Sequence, residues 1–331
     1  MGANSEISWT DHTFNPWIGC TKVSPACANC YAATLMDTRL GKVQWGAGKP
    51  RVRTSPENWK VPVRWNKHAG ILAACFGEPR PRVFCASLAD WLDDEVPIEW
   101  LADLLALIHA TPHLDWLLLT KRPENWRSRL SDAVMHFITR PICDERDAAL
   151  AMLKNWISAV RRPPANVWMG VTVENQEWAD KRIPLLLSIP AKVRFLSCEP
   201  LLGPVDLHRI GHWKGEPLSA VDEIVGRVER PRVDWVIAGG ESGRGARPMH
   251  PHWVRGLRDQ CASSGVAFHF KQWGEFIEDT THARFTKEHA KTVDVRLDPD
   301  CVMMRVGKKR AGRRLDGREW NGFPQHEGGA R

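Results

Sequence analysis

Six stretches of nearly continuous apolar residues recur along the chain: RVFCASLAD (82–90), DWLLLTKRP (115–123), NVWMGVTVEN (166–175), VRFLSCEPLL (193–202), DWVIAGGESG (234–243) and VAFHFKQWG (266–274). Runs without polar alternation mark strands buried on both faces, as in parallel sheets. Segments of helical spacing lie between them. In 97–112, Pro97 stands near the start and Trp100, Leu101, Leu104, Leu105 and Ile108 recur on one face. Segment 250–265 closes on a glycine suited to a helix C-cap. With a seventh strand expected near Phe14–Gly19, the pattern predicts an α/β chain, a full or partial (β/α) TIM-like barrel with parallel strands.

Each apolar run breaks into polar residues at its C-terminal end. Ser87 and Asp90 follow the first run, Lys121 and Arg122 the second, Thr172 and Glu174 the third. Glu199, Glu241 and the pair Lys271–Gln272 follow the rest. Barrels of parallel strands carry their active sites at that end. The expected organisation is a barrel domain over 1–275, with a basic insertion at 32–81 and a helical insertion at 124–165. A small basic C-terminal appendix over 276–331 follows it.

Composition narrows the class. The 331 residues are 43% hydrophobic and 26% charged, which excludes a disordered or low-complexity chain. No apolar run is long enough to span a membrane, and the opening MGANSEISWTDHTF lacks the pattern of a secretory signal. A cytoplasmic protein without membrane contact is expected. Its nine cysteines, in a reducing compartment, then point to metal binding or chemistry rather than disulfides.

The net charge of +7 is uneven. Segments 40–70 and 305–318 each hold seven Lys/Arg against one acid, and Trp45, Trp59 and Trp65 are interleaved in the first. Cations among aromatics suit a nucleic acid or nucleotide, with Arg51 and Arg53 on phosphates and Trp59 stacked on a base. Lys121, Arg122 and Lys271 at strand ends are further anion ligands, and Glu199 is a substrate ligand; an ion pair across the mouth is the competing use of the same residues.

The sharpest motif is Gly19-Cys20-Thr-Lys-Val-Ser-Pro-Ala-Cys27-Ala-Asn-Cys30-Tyr31. Thiolates suit iron–sulfur clusters and zinc, and both usually take four protein ligands. Three clustered cysteines leave one position open for a ligand. His12 is near enough in sequence to complete a Cys3His zinc site, so a non-catalytic zinc- or iron–sulfur-containing nucleic-acid-binding protein stands as the alternative to an enzyme.

In this context the chain resembles the radical S-adenosylmethionine superfamily. The order NPWIGCTKVSPACANCYA, SLADWL, LTKRP, NVWMGVTVEN, SCEPLLGP, VIAGGESG, FKQWG and LDGREWNGFP is similar to the phage three-cysteine-motif family, with spore photoproduct lyase-like enzymes as the nearest understood relatives. The resemblance implies a [4Fe–4S] cluster on Cys20, Cys27 and Cys30. S-adenosylmethionine on the fourth iron would be cleaved to methionine and a 5′-deoxyadenosyl radical, with an electron donor such as flavodoxin or ferredoxin. Nucleic acid or a nucleotide would be modified or repaired. Two departures stand out: the first cysteine gap holds six residues where the superfamily usually has three, and Asn29 takes the place of an aromatic that packs on adenine. Tyr31 is the expected substitute. By position, Ser87 and Asp90 would meet the methionine amino group, and Thr172 and Glu174 the ribose or the methionine end. The backbone of Gly239 and Gly240 would meet the adenine. Lys121, Glu199 and Lys271 are the expected catalytic side chains.

Overall fold

The computed structural model describes residues 5–140, 144–158, 162–213, 216–222, 224–225, 228–229, 231–278 and 294–324. Seven strands form one sheet: β1 (His12–Thr13), β2 (Arg82–Cys85), β3 (Asp115–Thr120), β4 (Val167–Thr172), β5 (Val193–Cys198), β6 (Trp235–Gly239) and β7 (Ala267–Gln272). They lie side by side in chain order, and every pairing is parallel. The sheet curls into an open half-barrel, so the partial form of the expected barrel is the one adopted. The first strand differs from the expectation. It is His12–Thr13, and Trp17–Ile18 leaves the sheet to pair antiparallel with Val52–Arg53. Asn15 and Pro16 explain the exit. Pro16 has no N–H for a ladder, and the Asn15 side chain accepts the Leu88 N–H at 2.8 Å instead.

Helices α1 (Val61–Phe76), α2 (Ile98–Ala110), α3 (Trp126–Ile138), α4 (Asp144–Ile157), α5 (Gln176–Ser188) and α6 (Pro251–Ser263) connect the strands. Helix α2 follows the predicted spacing: Leu101, Leu104, Leu105 and Ile108 are all buried against the sheet. Helix α6 begins at Pro251 with His250 as its N-cap, and Gly265 follows it at φ +65°. No described helix is long and apolar enough to cross a membrane. After β7 come β8 (Phe276–Glu278), β9 (Asp294–Asp298) and β10 (Cys301–Arg305), an antiparallel sheet ordered β8-β10-β9, and then the short helix α7 (Lys308–Ala311).

Strand periodicity divides the core in two. Val83, Cys85, Trp116, Leu118, Val236 and Phe270 face the helices. Phe84, Leu117, Trp168, Phe195, Trp235 and Ile237 face inward, where Trp9 packs among them with its ring 4.6 Å from that of Phe84. The inner aromatics therefore fill the lower part of the half-barrel, and the upper part is left for the site.

His269 lies at the edge of this inner core, wholly buried, its Nε2 2.9 Å from the Ser8 hydroxyl and its ring against Trp235 and Phe323. Burial lowers its pKa to about 3, with the charges of Arg313, Arg82 and Lys271 acting in the same direction. Below the ordinary histidine range the unfolded chain binds a proton that the folded chain refuses, so stability falls as pH falls. Between about pH 7.5 and 5, at ~1.4 kcal/mol per unit below the free pKa, urea unfolding should show the protein losing about 2 kcal/mol more than His269→Gln.

Candidate active site

The inward rows of the strands continue upward from the core. Leu117 leads through Leu119 to Lys121, and Trp168 through Gly170 to Thr172. Phe195 leads through Ser197 to Glu199, and Ala267 through His269 to Lys271. The four end residues line a cavity of ≈ 1260 Å³ at the C-terminal mouth of the sheet. That exceeds the ~300–1,000 Å³ of ordinary small-molecule pockets, leaving room for a cofactor and part of a substrate together.

The loop between β1 and β2 brings all three motif thiols to this cavity: Cys20 and Cys30 half-exposed, Cys27 9% exposed. Two buried carboxylates hold the loop. Glu174, after β4, accepts the Ala26 N–H at 3.2 Å with one oxygen and pairs with Arg182 of α5 at 2.9 Å with the other. Glu241, after β6, accepts from the Asn29 side chain at 3.0 Å and is gripped by Arg247 through both oxygens, at 2.7 and 2.8 Å. Arg247 also donates to the Pro25 carbonyl at 3.0 Å. Burial opposes the Glu241 charge, but the hydrogen bonds from Arg247 and Asn29 prevail and hold its pKa below the ordinary carboxylate value. Asn29 is thus a tether of the cysteine loop.

On the other side, Arg122 donates to Cys20 Sγ at 3.4 Å and to the Thr21 carbonyl at 2.9 Å. Asp90 fixes Arg122 at 3.3 Å while accepting from the Thr120 hydroxyl and the backbone N–H groups of Lys121 and Leu92. Burial pushes the Cys20 thiol up to about 12, the Asp90 charge adds to it, and Arg122 opposes both. Asp90 and Arg122 line the cavity, yet their polar atoms are occupied in bracing the strand ends and the cysteine loop. The expected contacts of Asp90 with the methionine end and of Arg122 with a nucleic acid would therefore use groups that already have partners within the fold.

Other expected residues separate by geometry. Tyr31 lines the cavity with its hydroxyl donated to the Ser87 carbonyl, and the Ser87 hydroxyl is engaged with Asn15. The Thr172 hydroxyl is buried with no hydrogen-bond partner among the described residues, an orphan donor on the cavity wall. Lys271 pairs with Glu199 at 3.1 Å, whereas Lys121 has no ion-pair partner among the described residues. Glu174 does not line the cavity; it is fully buried in the loop anchor. Gly239 does not line it either. A Cβ there would stand 2.6 Å from Glu199 Oε1, so the missing side chain makes room for that carboxylate. Gly240 does line it, and a Cβ on it would strike the Trp273 carbonyl at 1.9 Å.

In the basic segment 40–70, the three residues expected to contact a substrate lie away from the cavity. Arg51 is buried, paired with Asp93 at 2.8 Å and Glu95 at 3.4 Å. Arg53 pairs with Asp103 at 2.8 Å and stacks 4.2 Å above the Trp59 ring, which itself packs edge-on against Phe14. None of the three lines the cavity, although Trp45 does. Sequence reasoning passed over Arg182 and Arg247, which neutralise the two loop anchors. Arg182 stands eight residues beyond Glu174, which precedes the helix, so the i,i+4 spacing of helical pairs gives no signal for it.

Three thiols are a donor type that both iron–sulfur clusters and zinc take. Among the described residues no three His, Cys, Asp or Glu side chains converge on one metal position. His12 lies stacked on the Trp65 ring at 4.2 Å and does not line the cavity, so the Cys3His zinc site is not assembled. A cubane takes each thiolate on a different iron, so its ligands surround the cluster instead of meeting at one point. The three soft thiols border one cavity, and thiolate is the ligand type such a cluster takes.

The chain belongs to DUF5131, a protein family of unknown function whose model matches residues 4–324. No curated protein matches it. Among solved structures it is similar to a double mutant of spore photoproduct lyase with bound AdoMet and dinucleoside spore photoproduct, at 10% identity and a TM-score of 0.36, over 93% of this chain and 72% of that one.

Proposed function

We propose that this protein is a radical S-adenosylmethionine enzyme acting on nucleic acid or a nucleotide, with a [4Fe–4S] cluster on Cys20, Cys27 and Cys30. The observation that carries the reading is the set of three thiols on one anchored loop, lining a large cavity at the C-terminal mouth of a curled parallel sheet. When bound, the cluster and S-adenosylmethionine supply a reductive sulfonium cleavage and a radical that abstracts hydrogen. The chain's own residues do the rest. Glu174 and Glu241 hold the cysteine loop rigid, and Arg122 sets positive charge beside Cys20. The orphan Thr172 hydroxyl and the Gly240 backbone are the cofactor contacts. The Tyr31 ring, fixed through Ser87, stands at the cavity wall. Glu199 and Lys271 form a pair that a substrate can split, exposing a carboxylate to a hydroxyl or an ammonium to an anion. The reaction draws its electron from a low-potential donor of the flavodoxin or ferredoxin kind.

The test is anaerobic incubation of the iron- and sulfide-reconstituted protein with dithionite and S-adenosylmethionine. 5′-Deoxyadenosine should accumulate well above a Cys30→Ala control. Equal amounts from the two would end the proposal, as would a single tightly held zinc in place of iron.

A further inference from the structure

We propose that the C-terminal appendix is the nucleic-acid docking wall of this site. In this arrangement Lys308 and Lys309 at the mouth, with Arg310, Arg314 and Arg318 behind them, hold the phosphates of a strand whose reacting nucleotide enters the cavity. The inference rests on the proposed function for what happens inside the cavity, but the docking surface is argued from charge and placement alone.

Helix α7 is fastened directly to the mouth. The Gly307 N–H donates to the Glu275 carbonyl at 3.0 Å, and Trp273, just after β7, donates its backbone N–H to Gly312 and its indole N–H to the Arg314 carbonyl, at 3.0 and 2.8 Å. These bonds set Lys308 and Lys309 into the cavity lining. Both lysines, and the three arginines behind them, are exposed and have no ion-pair partner among the described residues.

Among the described residues, the two acids within 305–319 are taken, while Glu6 on the cavity lining has no ion-pair partner. Asp316 is held by Arg255 and Arg258, and Glu319 lies 3.6 Å from Arg313. Inside the cavity, among the described residues, Arg122 is neutralised by Asp90, Lys271 by Glu199 and Arg313 by Glu319, while Lys121 has no ion-pair partner. Uncompensated positive charge is therefore concentrated on one wall and continues from the mouth onto the outer surface. A lone phosphate is bound by groups that converge. Cations strung outward along a surface match a polyanion instead, whose condensed counterions they release. Arg318 adds a planar group fixed 3.5 Å over the Trp320 ring.

The experiment is a fluorescence-anisotropy titration of the reconstituted holoprotein with a labelled single-stranded oligonucleotide at several salt concentrations, with iron content measured on the same samples. Lys308→Gln/Lys309→Gln should weaken binding roughly tenfold at low salt and flatten the log–log salt slope by about 1.4, at ~0.7 per lost contact to a single strand. Arg64→Gln/Lys67→Gln, exposed on α1 in the other basic segment, should leave both unchanged. The proposal is overturned if the protein does not bind the strand, if binding is independent of salt, or if a nucleoside monophosphate competes as well as the oligonucleotide. It is overturned equally if the α1 variant loses affinity while the α7 variant does not. Strand binding by a protein that takes up no iron would leave this surface standing and remove the radical chemistry.

Discussion

Cys20→Ala, Cys27→Ala and Cys30→Ala should each reduce the iron retained after anaerobic reconstitution to near background, while Cys75→Ala, on the exposed face of α1, retains the full complement. Each thiolate would hold a separate iron corner, and no His, Asp or Glu among the described residues joins the three thiols as a stand-in ligand. Equal losses from all three positions are the informative part. A protein that lost iron on Cys75→Ala and kept it on Cys20→Ala would have its cluster elsewhere. The measurement is iron and sulfide content, with the visible charge-transfer absorption as a second readout.

The second large effect belongs to Glu174. Its carboxylate is fully buried between Arg182 and the cysteine loop, and Arg182 itself is 2% exposed. Glu174→Ala strands a buried guanidinium and frees the Ala26 N–H, so unfolding should become easier by about 3–5 kcal/mol. Glu174→Gln keeps the shape and an oxygen for Ala26 and loses the charge alone, so it should fall between. Both should bind iron less tightly than the parent, because the loop that spaces the thiols has lost its anchor. A Glu174→Gln protein with parental unfolding midpoint and parental iron content would show that the anchor is unimportant.

Much of the fold was legible because it depends on short-range pattern. The six long strands appear as apolar runs, and period-two counting from Trp168 or Phe195 leads to Thr172 and Glu199 at the mouth. The cysteine loop was legible because its three ligands are contiguous. The first strand was misplaced because Phe14–Gly19 is as apolar as a strand, while the Asn15 hydrogen bond that draws it off the sheet comes from Leu88. The ion pairs made by Asp90 and Glu174 were not legible, because a polar residue after a strand looks alike whether it faces the cavity or a buried partner. Only the positions of Arg122 and Arg182 distinguish the two. The ion pairs of Arg51 and Arg53 were hidden for the same reason. Their carboxylates Asp93, Glu95 and Asp103 come far downstream, and local charge counting cannot see them.

The tail does one more thing for the sheet. A half-barrel leaves the outer side of β7 open, a row of backbone groups able to pair with another molecule. Residues 320–322 lie along that row: the Phe270 N–H donates to the Trp320 carbonyl, the Gly322 N–H donates to the Phe268 carbonyl, both at 2.9 Å, and His269 bridges Asn321 antiparallel. The indole of Trp235, from inside the barrel, donates to the Gly322 carbonyl at 2.8 Å. The tail thus serves as a built-in chaperone for the last strand, and a ribosome that has released β7 but not yet residue 322 holds a chain with an aggregation-prone border.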